Sequence, residues 1–159
     1  MERSSFGIPR EDRYFEDYVP GTVYRFGAAH VTQEEMIRFA ERYDPQVFHT
    51  DPEGAKKTAF GALVASGWLT GALSMRILVE HFLPGSNQGS PGIDEVRWTR
   101  PVYAGDTLSL RVSVLAKRRS RSKPDRGIVH ATVEVLNQHE QVVMSWKGMT
   151  NVLCRERLA

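Results

Sequence analysis

The sequence predicts an α+β domain in which one long apolar helix lies against an antiparallel sheet of about five strands. Three observations support this. From Ser66-Gly67 to about Phe82, apolar residues occupy nearly every face, the pattern of a helix buried all round. From Gly92 onward the chain becomes a series of extended runs: Ile93 to Trp98, Thr107 to Lys117, Ile128 to Leu136 and Val142 to Leu153. Turn-forming joins separate these runs, at Ala104-Gly105-Asp106, Lys123-Pro124-Asp125-Arg126-Gly127 and Asn137-Gln138-His139-Glu140. Joins this short make neighbouring strands antiparallel, because a parallel return needs a long crossover.

The remaining elements follow in order. Residues 1–20 mix charges with Gly7, Pro9 and Pro20 and show no clear period, so they read as a partly ordered lead-in to a single domain over 21–159. Val23 to Ala28 has β-favouring side chains after the Pro20-Gly21 turn and supplies the first strand. Thr32 and Glu35 have the spacing of a capping box for a helix containing Met36, Ile37, Phe39 and Ala40. That helix must stop near Tyr43, because Pro45 restricts Asp44. Asp51 caps a further short helix, with Pro52 at its first position. In the strand from Thr107, Leu108, Leu110, Val112 and Val114 alternate with Ser109, Arg111, Ser113 and Leu115, giving one buried and one largely polar face.

Composition narrows the function classes. Twenty-one basic residues against 19 acidic leave a net charge of +2, which gives no strong attraction to nucleic acid or membrane. The single cysteine, Cys154, excludes an internal disulfide framework and fits a reducing compartment. Met1 to Tyr18 lacks the apolar core of a secretory signal, and Arg76, Glu80 and His81 interrupt the apolar helix, so a soluble cytoplasmic protein is expected. Neither a Gly-x-Ser-x-Gly elbow, a P-loop nor a dinucleotide fingerprint is present, and the five histidines show no metal-ligand spacing with a cysteine.

The candidate chemistry gathers in Asp44-Pro45-Gln46-Val47-Phe48-His49-Thr50-Asp51, just before the long helix. Prolines at 45 and 52 forbid one continuous helix there, so Asp44 and His49 are presented irregularly. Taken alone, these residues allow a plain reading, with Asp44 opening a type I turn and His49 satisfied within the loop. The larger pattern is more specific. Asp44 and His49 at spacing five, Phe60 eleven residues later, and Ser66-Gly67 opening the helix resemble the (R)-specific enoyl-CoA hydratases of the MaoC-like dehydratase family. That family's signature reads Asp-x-Asn-Pro-x-His, then Phe, then Gly at the helix start. Arg100-Pro101-Val102-Tyr103-Ala104-Gly105-Asp106-Thr107-Leu108 is similar to its strand-turn-strand segment. Two departures stand out: Gln46 replaces the Asn, and the proline has moved to position 45.

The resemblance implies the hot-dog fold, a curved sheet wrapped around a central helix, and residues 20–153 fall within it. It also implies reversible hydration of a trans-2-enoyl-CoA to the (R)-3-hydroxyacyl-CoA, with coenzyme A as part of the substrate and no separate cofactor or metal. Asp44 and His49 would activate one water, in a base and acid assignment left open, and the Gly67 amide would face the thioester oxygen. Glycine suits position 67 because a side chain would obstruct the acyl group. Gln46, Phe60 and Ser66 are the expected substrate contacts, and helix-facing Leu63, Leu69 and Leu73 are expected to shape the pocket.

Lys117-Arg118-Arg119-Ser120-Arg121-Ser122-Lys123 with Arg126 puts six positive charges in ten residues. Arg119 and Arg121 are the candidate phosphate contacts; the plain alternative is a solvated hairpin tip. Trp68, Trp98 and Trp146 read as core or interface residues, and Gly71 as a packing glycine. Two other functions suit the same residues: an acyl-CoA thioesterase, in which Asp44 directs water at the carbonyl, and a non-catalytic acyl-CoA binding module. One sheet around one helix leaves an edge strand and part of the helix uncovered, so a homodimer is expected.

Overall fold

In the computed structural model, which describes residues 2–156, the predicted runs form one open sheet against one long helix. The elements in chain order are β1 (Glu2–Arg3), β2 (Val23–His30), α1 (Gln33–Tyr43), α2 (Val47–Thr50), α3 (Pro52–Ala55), α4 (Gly67–His81), β3 (Ile93–Trp98), β4 (Thr107–Arg119), β5 (Arg126–Leu136) and β6 (Val142–Leu153). The sheet order is β1-β2-β4-β5-β6-β3, and every pairing except the parallel β1–β2 contact is antiparallel. It therefore has six strands rather than about five. The sixth is a two-residue piece, too short to leave a periodic signal.

Alternation along β4 sorts the faces as expected: Leu108, Leu110, Val112 and Val114 are all within 1% of complete burial. Partners on β5, Val135, Val133 and Ala131, lie on the same face and complete the layer beneath α4. The strand from Val23 runs two residues beyond the expected end, through a bulge between Phe26 and Ala29. Gly27 sits in that bulge at φ +74°, where a Cβ would come within 2.5 Å of Ile77 Cγ2. Its missing side chain lets α4 press onto the sheet.

The capping signals hold in part. Thr32 Oγ1 accepts from the Glu35 N–H at 3.2 Å and Asp51 Oδ1 from the Glu53 N–H at 3.0 Å, but no return bond from the Glu35 carboxylate exists among the described residues. Residues 2–20 carry more order than their composition suggested. Phe6 stacks on Tyr24 with centroids 4.1 Å apart, Phe15 and Tyr18 join the core, and Tyr18 donates to the Phe82 carbonyl at 2.6 Å. Arg13 donates to the His81 and Phe82 carbonyls, placing a cation at the negative end of α4.

The expectation that α4 is buried all round is corrected. Leu69, Ile77 and Leu78 are buried, but Trp68, Met75 and Val79 are 60%, 46% and 42% exposed. The sheet of a single chain wraps only one side of the helix. Ile93 and Trp98 on edge strand β3 are exposed as well, so one apolar strip runs along the open side of the molecule. Among the described residues, no helix is long and apolar enough to cross a membrane.

Candidate active site

Proline placement assembles the site. Asp44 ends α1 with non-helical dihedrals (φ −152°, ψ 63°), and after Pro45 the chain makes only the single turn of α2, which carries His49. Ser66 then caps α4, its Oγ accepting from the Trp68 N–H at 3.3 Å. These three short-range decisions bring Asp44, His49 and the start of α4 together. His49 Nε2 lies 3.4 Å from Asp44 Oδ2.

Each side chain is held from behind. His49 Nδ1 is 2.7 Å from the Val64 carbonyl oxygen, which can only accept, so Nδ1 carries a hydrogen and Nε2 is the nitrogen turned toward Asp44. Ser66 Oγ donates to Asp44 Oδ2 at 2.7 Å, and Gln46 Nε2 donates to Asp44 Oδ1 at 2.7 Å. Burial alone would raise the Asp44 pKa; the bonds from Ser66 and Gln46, with the attraction of the His49 ring, outweigh it and hold the carboxyl below its ordinary value. Asp44 is thus an ionised carboxylate with its donors fixed.

The pair forms one wall of a cleft of about 350 Å³ lined mostly by apolar groups such as Phe48, Phe60 and Val143, with Thr70, Thr99 and Arg100 the other polar residues on it. Phe60 packs against Phe48 with centroids 5.1 Å apart. Gly67 lies on the cleft at the first turn of α4, and its N–H donates no hydrogen bond among the described residues. The positive end of the helix therefore presents a free donor within the cleft.

The expected site residues divide three ways. Asp44, His49, Phe60 and Gly67 converge on the cleft. Gln46 and Ser66 sit one step behind it, on the two oxygens of Asp44. Arg119 ends β4, roughly 40 Å from Thr107 at about 3.3 Å per residue, and Arg121 lies in the turn beyond it, whereas Val102, before the start of β4, lines the cleft. Arg119 is engaged there with Cys154 Sγ at 3.2 Å, the Glu156 carbonyl at 3.0 Å and the Glu16 carboxylate at 3.6 Å.

Sequence reasoning missed several participants. Trp98 lines the cleft, and a Cβ at position 67 would fall inside its indole, so the immediate reason for glycine there is the ring rather than an acyl group. Trp68 meets Trp98 edge-to-face at 5.2 Å and also lines the cleft, while Trp146 is a core residue as expected. Thr70 and the Val64 carbonyl left no signal, and Arg100 was read only as part of a strand-turn-strand segment; only the register of β3 against β6 brings the end of β3 over α4.

An open antiparallel sheet around a central helix, with an acid–imidazole pair at the helix start, defines a hot-dog domain of the dehydratase type. The chain belongs to the MaoC family: residues 16–137 match the model of the MaoC like domain. The MaoC-like dehydratase from Rhodospirillum rubrum superposes with a TM-score of 0.84 at 36% identity, covering 91% of this chain and 99% of that one. YdeM of Bacillus subtilis, an uncharacterized protein, is 30% identical over 141 residues, 88% of this chain and 97% of its own length. The R-hydratase PhaJ1 from Pseudomonas aeruginosa superposes with a TM-score of 0.71 at 25% identity, over 91% of this chain and 88% of that one.

Proposed function

We propose that the protein is a cytoplasmic hydro-lyase that reversibly adds water to a trans-2-enoyl-CoA, giving the (R)-3-hydroxyacyl-CoA. The observation that carries this is the ionised Asp44 set 3.4 Å from His49 Nε2 on the wall of a mostly apolar cleft that also holds a free helix N-terminal donor. The likeness to an R-hydratase supports the same reading.

Each group then has a task. A water that bridges the Asp44 carboxylate and His49 Nε2 from the cleft side is oriented by both and loses a proton to the pair as its oxygen attacks C3. Electron density moves through C2 to the thioester oxygen, where the Gly67 N–H and the α4 dipole stabilise it. The proton taken from the water returns to C2 as the carbonyl reforms. Ser66, Gln46 and the Val64 carbonyl hold the pair in place and touch no reacting atom. Coenzyme A enters as part of the substrate, and no other cofactor takes part. Because one wall supplies both oxygen and proton, the addition is syn.

The working unit is a homodimer. Edge strand β3 and the exposed strip of Trp68, Val79, Ile93 and Trp98 supply an apolar face with an unpaired strand beside it, which a second copy would cover by joining the two sheets. The test of the reaction is chiral analysis of the product formed from crotonyl-CoA and 2-octenoyl-CoA. The (R)-alcohol is expected; the (S)-alcohol, or no alcohol, would overturn the proposal.

A further inference from the structure

Trp98 stands closer to the first turn of α4 than a cleft wall needs to. It ends β3, in register with Met144 of β6, and its indole lies against Gly67. A Cβ built at Gly67 would be 2.7 and 2.8 Å from Trp98 Cε2 and Cδ1, and nearer still to the Nε1 between them. Distances so alike to a nitrogen and both its ring neighbours mean that the ring lies flat on Gly67, with its pyrrole corner over the place a side chain would take. A backbone nitrogen is about 2.5 Å from its own Cβ position, so the indole and Gly67 nitrogens are at most about 5 Å apart. Neither N–H has an acceptor among the described residues. Trp68 packs edge-to-face on the same ring at 5.2 Å, so two neighbours fix its orientation.

We infer that Trp98 is a catalytic residue, whose indole N–H joins the Gly67 N–H in holding the thioester oxygen as negative charge gathers on it. This deepens the hydratase reading and rests on it for the identity of the acceptor. An oxygen about 2.9 Å from each of two donors fits between nitrogens up to about 5.8 Å apart, and this pair falls within that span. Trp98 is 45% exposed and lines the cleft, which leaves the ring within reach of a ligand. The indole N–H only donates, and it is fixed in the ring plane, so it neither repels an oxyanion nor has to turn when charge develops. As the water oxygen bonds to C3, the C2–C3 π pair moves to C1–C2 and the C1–O π pair moves onto the oxygen. Both N–H groups stay intact, and the pairs return when C2 takes its proton. Gly67 thus serves twice: its amide is one donor, and its missing side chain admits the other.

Trp98→Phe keeps a ring against Gly67 and removes the donor, and kcat with crotonyl-CoA should fall by roughly 10²–10³, the cost of one lost oxyanion donor. Site-specific replacement of Trp98 by 3-benzothienylalanine puts sulfur in place of the N–H and keeps both rings; an equal loss there separates donation from packing. Gly67→Ala keeps the backbone donor but pushes the indole aside, and adding Trp98→Phe to it should cost little more, because both remove the same contact. Acetoacetyl-CoA supplies a readout without turnover, since its enolate shares charge with the thioester oxygen and absorbs where the ketone does not. At a fixed pH the bound enolate fraction should be about tenfold lower on either position-98 variant than on the wild-type protein, while the affinity for uncharged butyryl-thioester, as butyryl-CoA, should change by less than about twofold, because a donor matters more to a charged acceptor. Wild-type kcat in the benzothienyl protein, or an enolate fraction unmoved by variants that fold, would overturn the inference. A tenfold drop in enolate, with no enoyl-CoA hydrated by the wild-type protein, would keep the paired donors and remove the hydratase; hydration with an unmoved enolate fraction would do the reverse.

Discussion

Ser66 joins two structural tasks in one atom, and Ser66→Ala separates them. Its Oγ donates to Asp44 Oδ2 at 2.7 Å and accepts from the Trp68 N–H at 3.3 Å. Losing the cap costs about 1 kcal/mol. Leaving an ionised carboxylate one donor short costs about 1.5–3 kcal/mol. Water restores part of that, because the Asp44 side chain keeps 18% of its exposure. A total of about 2 kcal/mol lowers the Tm by roughly 4–8 °C, at 2–4 °C per kcal/mol for a chain of this size. The loss should also depend on pH in a fixed direction. A carboxyl held below its ordinary value contributes stability that is present above its unfolded pKa and vanishes as pH falls through its native pKa. The variant's deficit is therefore largest near neutrality and shrinks below about pH 4. For the same reason the acid limb of kcat/KM moves to higher pH, since Asp44 protonates more readily. Thermal melts at neutral and acid pH, with a pH–rate profile, check both. A deficit independent of pH together with an unmoved acid limb would refute the coupling of Ser66 to Asp44.

Further variants address the rest of the site. His49→Ala should lower kcat by roughly 10²–10⁴, and combining it with Asp44→Asn should be little worse than either alone, because groups acting as a unit are non-additive. Gly67→Val sets a branched side chain where the Trp98 ring lies, and steady-state rates should show turnover lost even where circular dichroism reports a folded protein. Val79→Glu places a charge on the exposed strip and should convert a dimer into monomers by light scattering; a wild-type protein that is already monomeric at micromolar concentration would remove the dimer. Arg119→Ala with Arg121→Ala, far along β4 from the cleft of the same chain, should shift KM for a coenzyme A thioester by less than about twofold, whereas a rise in KM with kcat unchanged would put the basic hairpin on the ligand's path.

Much of the fold was legible because local rules and tertiary packing agree in this chain. Alternation in Thr107 to Val114, the cap at Thr32 and the break at Pro45 each act over a few residues, and each survives in the folded protein. The Asp44–His49 pair was legible through spacing and family likeness, although neither showed the 3.4 Å approach or the Val64 carbonyl that fixes the ring. What stayed hidden depends on sheet order. Nothing local says that β3 returns to the edge beside β6, and that return brings Trp98 over Gly67 and leaves Trp68 and Val79 uncovered. Composition likewise hid the role of Phe6, Arg13 and Tyr18, whose work is to meet β2 and the end of α4 from far away in sequence.

The proposed roles of Asp44 and His49, directing water to C3 of an enoyl thioester, can be read by following enoyl absorbance and free thiol together with crotonyl-CoA and 2-octenoyl-CoA. Loss of the enoyl band without thiol release is expected, with a rate reduced by roughly 10²–10⁴ in Asp44→Asn, which keeps the shape and removes the charge. Thiol released faster than the enoyl band disappears, or a wild-type hydration rate in Asp44→Asn, would contradict those roles.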